Sequence, residues 1–181
     1  VFLFDGYSLQ PLIHSMISDR YVNFLSHRKT TLYIGTNEGL YAYNYINNQC
    51  DLCSPLLKSK NIIAYQCNSD YQVVATDREV FLFDYNWNFI HKITIYKESL
   101  NNHITSMVIY RNQEVLLGTE SGLVIIHIEN DGKTKTNTLY SGDKIVQLFI
   151  DSRNKLWICR GEEILYSNID TLDSVGISGF K

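Results

Sequence analysis

One phrase returns through this chain at intervals of about forty residues, and that period decides its architecture. The copies read LYIGTNEGLYAYN from Leu32, QVVATDREVFLFD from Gln72, VLLGTESGLVIIH from Val115 and LWICRGEEILYSN from Leu156. They align on Thr36, Thr76, Thr119 and Arg160. A fixed period of this size marks stacked or radial units, because one unit cannot bury its apolar face without a neighbour. VFLFD from Val1 repeats VFLFD from Val80 letter for letter, so the chain is expected to open partway through a unit.

Each unit carries the same order of signals. Mostly apolar runs from Tyr21, Asn61, His103 and Lys144 are followed by polar turns such as Asn68-Ser69-Asp70 and Ser152-Arg153-Asn154. A second apolar run ends at the Gly-Thr position, a short turn follows, and a third run alternates in polarity. A fourth, more polar segment closes the unit, as in FIHKITIY from Phe89 and the weaker Thr134–Tyr140. Short strands separated by short turns fit an antiparallel meander, and no long window keeps helical spacing. Four strands in about forty residues is the arithmetic of a β-propeller blade. The expected fold is all-β: about four blades plus a partial one, a fragment of a larger propeller. The expected units are 1–20 (partial), 21–60, 61–102, 103–143 and 144–181. The first strand of each unit is expected to be the buried one, and the fourth to face solvent.

Composition narrows the function classes. A formal charge of −3 argues against a nucleic-acid surface, which needs clustered Lys and Arg. No apolar run is long enough to span a membrane as a helix. Four cysteines are too few for a disulfide scaffold, and both pairing of Cys50 with Cys53 and free thiols stay open. The CxxC of Cys50–Cys53 has no second ligand pair, so zinc is not expected. The five histidines are scattered, and no nucleophile elbow or phosphate loop occurs. Asn130-Asp131-Gly132 reads as a turn between strands. Glu162 and Glu163 are adjacent and are expected to diverge, which suits no glycosidase pair. No catalytic residue, metal site or cofactor is expected.

Asp151-x-x-x-Lys155-Leu156-Trp157-Ile158, with IGT-x-x-GL from Ile34 and LGT-x-x-GL from Leu117, resembles the two-component regulator propeller repeat. The resemblance covers the chain from Val1 to about Asn168. The second copy departs from it at Ala75 and Glu79, and the fourth has Cys159-Arg160 in place of Gly-Thr. The resemblance implies the periplasmic sensor region of a bacterial hybrid two-component histidine kinase. That region would bind a carbohydrate and control transcription by phosphorelay. It would be non-catalytic in this segment and attached to a membrane only through the parent protein. The alternative is a propeller scaffold for protein partners.

The motif also has a direct physical reading. Gly39 and Gly122 fall in turns that require positive φ. Gly35 and Gly118 lie in strand interiors where an aromatic or a neighbouring blade approaches closely. The threonines are placed to bond turn backbone, and Tyr33 and Trp157 to fill the wedge between blades. Ligand contacts are expected from the second-to-third-strand turns and blade connections, at Asn37, Glu38, Asp77, Arg78, Glu120 and Arg160, with Trp87 as an aromatic platform. The connections include Lys58–Asn61 and Lys97–His103. An array cut mid-blade exposes edge strands, so further blades or self-association over the open edges are expected.

Overall fold

The computed structural model describes residues 1–4, 6–12, 14–95, 103–129 and 132–168. It is all-β, with strands grouped in two compact units, Val1–Ile63 and Ala64–Lys181. The first unit opens with a hairpin of β1 (Phe2–Phe4) and β2 (Leu9–Pro11). A four-stranded antiparallel sheet follows: β3 (Val22–Arg28), β4 (Thr31–Thr36), β5 (Gly39–Asn44) and β6 (Gln49–Leu52), in sequence order. β1 carries the VFLF repeated in a third strand further on, and it pairs with the strand after it as that third strand does. Ile34, Tyr41, Tyr43 and Cys50 form the core of this unit together with Ile17.

The second sheet holds β7 (Ile62–Cys67), which begins at the division between units, then β8 (Tyr71–Thr76), β9 (Glu79–Asp84) and β10 (Phe89–Thr94). The third holds β11 (Ile104–Tyr110), β12 (Glu114–Thr119), β13 (Gly122–Ile128) and β14 (Thr134–Ser141). The fourth holds β15 (Ile145–Ile150), β16 (Lys155–Arg160) and β17 (Glu163–Asn168). Each is an antiparallel meander, the form of a propeller blade. The expected fourth strand of the last blade falls beyond residue 168, outside the described residues. Most of the connection from Lys97, and Asn130-Asp131, lie outside them too.

In the second unit the blades stack face on face. Val73, Ala75, Val80 and Leu82 of the second blade share a cluster with Ile104, Val115, Leu117 and Ile126 of the third. Val108, Leu116, Leu123 and Ile125 share another with Ile145, Leu148, Leu156 and Ile158 of the fourth. Alternate residues of β12 therefore face opposite neighbours. That is why β12 and β13 read as near-continuous apolar runs and are buried almost throughout. Fully burying one such Ile or Leu contributes about 1.5–3 kcal/mol.

The first strands are less buried than expected. β11 is largely covered, but β7, β15 and above all β3 alternate or are open. β11 belongs to the blade covered on both faces, whereas β15 belongs to a blade covered toward the third blade only. β14 is exposed along most of its length, as its polar sequence requires. First strands also share a register shift that no sequence signal marks, between Val22 and Phe24, Ile104 and Ser106, and Ile145 and Gln147. The shifted residue Thr105 reaches the next blade, where its Oγ1 donates to the Ile145 carbonyl at 2.5 Å.

Candidate functional site

The turn between second and third strands is built alike in three blades. Thr36 Oγ1 donates to the Gly39 carbonyl at 2.8 Å, Thr119 Oγ1 to Gly122 at 2.9 Å, and Thr76 Oγ1 to Glu79 at 3.2 Å. Each hydroxyl also accepts a backbone N–H from its own turn. The threonine role read from sequence holds in all three copies. In the fourth copy the same position carries a cation, Arg160, and the turn is left without a hydroxyl.

Arg160 reaches the preceding blade instead. Its Nη1 donates to the Tyr140 hydroxyl at 2.8 Å and lies 3.7 Å from Asp143 Oδ2, and its Nη2 donates to Glu163 Oε2 at 2.5 Å. The guanidinium carbon stands 5.6 Å from the centre of the Tyr140 ring. Tyr140, at the end of β14, donates to Asp143 Oδ2 at 3.2 Å, and its hydroxyl lies over Gly142, where a Cβ would come within 2.6 Å of it. The Glu163 hydrogen bond, then that of Tyr140, shifts the Arg160 pKa further up and keeps it a fixed cation. Lys144, beside Asp143, pairs with Glu120 of the β12–β13 turn at 3.1 Å.

These groups border an open groove of about 420 Å³ lined by Asp143, Lys144, Val146, Arg160, Glu162 and Glu163. Glu162 and Glu163 both border it, at the β16–β17 turn. Cations, carboxylates and one apolar side chain converge there. Asp143 and Glu163 are engaged with Arg160, and the arrangement suits holding a polar molecule. Of the residues read from sequence, Arg160 lies in this groove and Glu120 is joined to it through Lys144. Tyr140, Asp143 and Lys144 were missed: their only sequence signal is their place at the end of a fourth strand and in a blade connection.

The other candidates sit elsewhere. Asn37 and Glu38 belong to the β4–β5 turn, where Asn37 Oδ1 accepts the Tyr21 N–H at 3.0 Å and Glu38 pairs with Arg20. Arg20 also lies 5.0 Å from the centre of the Tyr41 ring. Asp77 and Arg78 form the β8–β9 turn, with Asp77 3.5 Å from His103 Nδ1. Trp87 is in the β9–β10 turn, at the opposite end of its blade from Asp77 and Arg78. It takes a left-handed φ of 65° and packs on Tyr65 and Phe83 with ring centres 5.8 and 5.3 Å away. It serves as packing there. Trp157 faces away from the third blade, and its indole N–H donates to Asp151 Oδ2 at 2.9 Å within its own blade.

The four cysteines form no disulfide. Burial, then the nearby Asp51 charge, pushes Cys50 up to about 11, and burial raises Cys53 as well. Both are therefore poor nucleophiles and poor metal ligands at neutral pH. Among the described residues, no three His, Cys, Asp or Glu side chains are grouped to hold a metal ion. No helix among them is long and apolar enough to cross a membrane.

No protein-family model matches this chain, and no curated protein sequence does. Solved structures do match. The computationally designed Ika4 protein aligns over 88% of this chain and 98% of its own, with a TM-score of 0.64 and 14% identity. The extracellular domain of BT4673 from B. thetaiotaomicron, described both as a one component and as a hybrid two component system, aligns over 88% of this chain with a TM-score of 0.64 and 18% identity. This chain spans only 23% of that domain. The WD40 domain of Neurospora crassa Pan2 aligns over 87% of this chain and 49% of its own, with a TM-score of 0.60 and 13% identity. At such identities the likeness speaks for fold alone, and the fold is that of β-propeller blades.

Proposed function

We propose that this chain is a ligand-sensing stretch of an extracytoplasmic propeller in a hybrid two-component sensor, and that it binds a carbohydrate in the groove around Arg160. The observation that carries this reading is the groove itself. Its cation replaces a turn-forming threonine, and breaks in a local rule concentrate at functional sites. The likeness to the BT4673 extracellular domain supports the setting. Asp143, Glu162 and Glu163 outnumber Arg160 and Lys144 at the rim. That balance favours a neutral sugar, whose hydroxyls both donate and accept, over an acidic one. In this role the segment catalyses nothing, and signalling to a kinase belongs to the parent protein.

A panel of neutral and acidic oligosaccharides, read by thermal shift, tests the reading. A neutral ligand at about a hundred times its Kd adds roughly 2.7 kcal/mol and raises Tm by roughly 5–10 °C in a chain of this size. Arg160→Ala should weaken that ligand about tenfold or more while leaving the unliganded fold intact. A panel without any shift, or shifts unaffected by Arg160→Ala, would remove the proposal. A propeller scaffold for protein partners is the second reading, and the apolar residues left open on the fourth blade favour it.

A further inference from the structure

Between the third and fourth blades, one hydroxyl group ties the connection after β14 to the end of β16. Tyr140 stands opposite Leu123 in register, and its ring packs against the core that the two blades share. Its oxygen accepts from Arg160 Nη1 at 2.8 Å and from the Asp143 N–H at 3.4 Å, and its O–H donates to Asp143 Oδ2 at 3.2 Å. One donated and two accepted bonds fill what a hydroxyl can offer. The connection also closes over the ring: a Cβ on Gly142 would lie 2.6 Å from the Tyr140 oxygen. Ring, hydroxyl and backbone are thus fixed together.

Arg160 is held through both terminal nitrogens, Nη1 on Tyr140 and Nη2 on Glu163 Oε2. A guanidinium carries five N–H donors. The remaining ones, the Nε–H among them, have no hydrogen-bond partner among the described residues. Asp143 Oδ2 stays 3.7 Å from Nη1, and the Asp143 side chain is 72% exposed against 23% for Arg160. A carboxylate this close to a guanidinium ordinarily closes on it in a two-bond pair, which is stronger than a bond to a neutral hydroxyl. Here the Tyr140 hydroxyl stands between the two charges and bonds to both. It keeps them apart and leaves donors and an acceptor side by side.

We propose that Tyr140 is the positioning residue of the ligand groove: its hydroxyl spaces Arg160 from Asp143 and keeps the unengaged Arg160 donors open to a sugar hydroxyl. The inference rests on the carbohydrate reading of the groove. In this role Tyr140 acts through Arg160 and does not itself bind the sugar. Phenylalanine at this position keeps the ring and its packing on the shared core, and removes only the spacer. Arg160 would then close onto Asp143, and its donors would be spent within the protein.

Calorimetric titration of the 181-residue chain with neutral gluco-, manno-, galacto- and xylo-oligosaccharides tests this. Tyr140→Phe should weaken the sugar that wild type binds about fivefold or more, the scale of a lost hydrogen bond to a charged group. Gly142→Ala, whose methyl would push the hydroxyl aside without removing it, should act in the same direction and covers the case in which Tyr140→Phe fails to fold by circular dichroism. In an Arg160→Ala background, Tyr140→Phe should change affinity less than about twofold, because the hydroxyl then has no cation to place. A purely structural tyrosine would cost the same in both backgrounds. Without ligand, the Arg160 Nε–H resonance, assigned by its loss in Arg160→Ala, should move in Tyr140→Phe. A sugar weakened by Arg160→Ala but not by Tyr140→Phe, an equal loss in both backgrounds, or an unmoved resonance would each overturn the inference and leave the carbohydrate reading standing. A wild-type chain that binds none of these sugars would overturn both.

Discussion

At φ +128°, Gly122 holds a backbone conformation that side chains with a Cβ rarely adopt, and a Cβ built there would lie 2.0 Å from the Tyr140 carbonyl oxygen. The obstacle is backbone and cannot swing aside. Gly122→Ala should therefore cost roughly 2 to 4 kcal/mol, combining left-handed strain with overpacking, read as a lowered urea midpoint at unchanged slope. An unshifted midpoint would mean that the turn re-forms another way. The second copy of the repeat has such a way: Glu79 stands at this position without positive φ, and its N–H is one of two held by Thr76 Oγ1. Gly35 and Gly118 answer a different need. A Cβ at Gly35 would strike the Phe24 ring, and one at Gly118 would come 2.8 Å from Ile145 of the next blade. Both close approaches read from sequence, one aromatic and one from a neighbouring blade, are present.

Single elements are held at their turns by carboxylates. Asp151 Oδ1 accepts the N–H groups of Arg153 and Lys155, while Oδ2 takes the Trp157 indole, so one side chain joins the β15–β16 turn to β16. These bonds, the indole first, hold its pKa below the ordinary 3.8. Asp84 is lowered in the same way at the β9–β10 turn, chiefly by Asn88. A carboxylate with a depressed folded pKa stabilises the fold above its unfolded value, and that contribution is lost as pH falls through the folded one. Tm should therefore be flat from pH 7 down to about 5 and fall below about 4, and Asp151→Asn should flatten part of that fall. Equal acid sensitivity in the variant would mean that Asp151 does not contribute. The aspartate and tryptophan spacing was legible as a repeat signature, and the structure explains it as a turn clamp. Strand order and turn position were legible too, because polarity alternation and glycine placement are local properties. The Arg160 network was not, since Tyr140 lies 20 residues away on another blade and nothing in one sequence pairs them. The packing of Trp87 on Tyr65 and Phe83 was not legible either, for the same reason.

Within the second unit, each blade's stability depends on how many of its faces are covered, since neighbours in a repeat array contribute mainly through their shared interface. The third blade has both faces covered, through clusters that it shares with the second and the fourth. The fourth has one, and its other face leaves Val146, Phe149 and Ile164 in solvent. Hydrogen exchange of the dilute chain should accordingly be slowest at the amides of β12 and β13 and faster in β15–β17, although all of these strands are ladder-bonded. Hydrogen bonding alone would make the strands equal, so a graded profile isolates the contribution of face burial. A fourth blade already as protected as the third in dilute solution would show that covered faces do not set local stability.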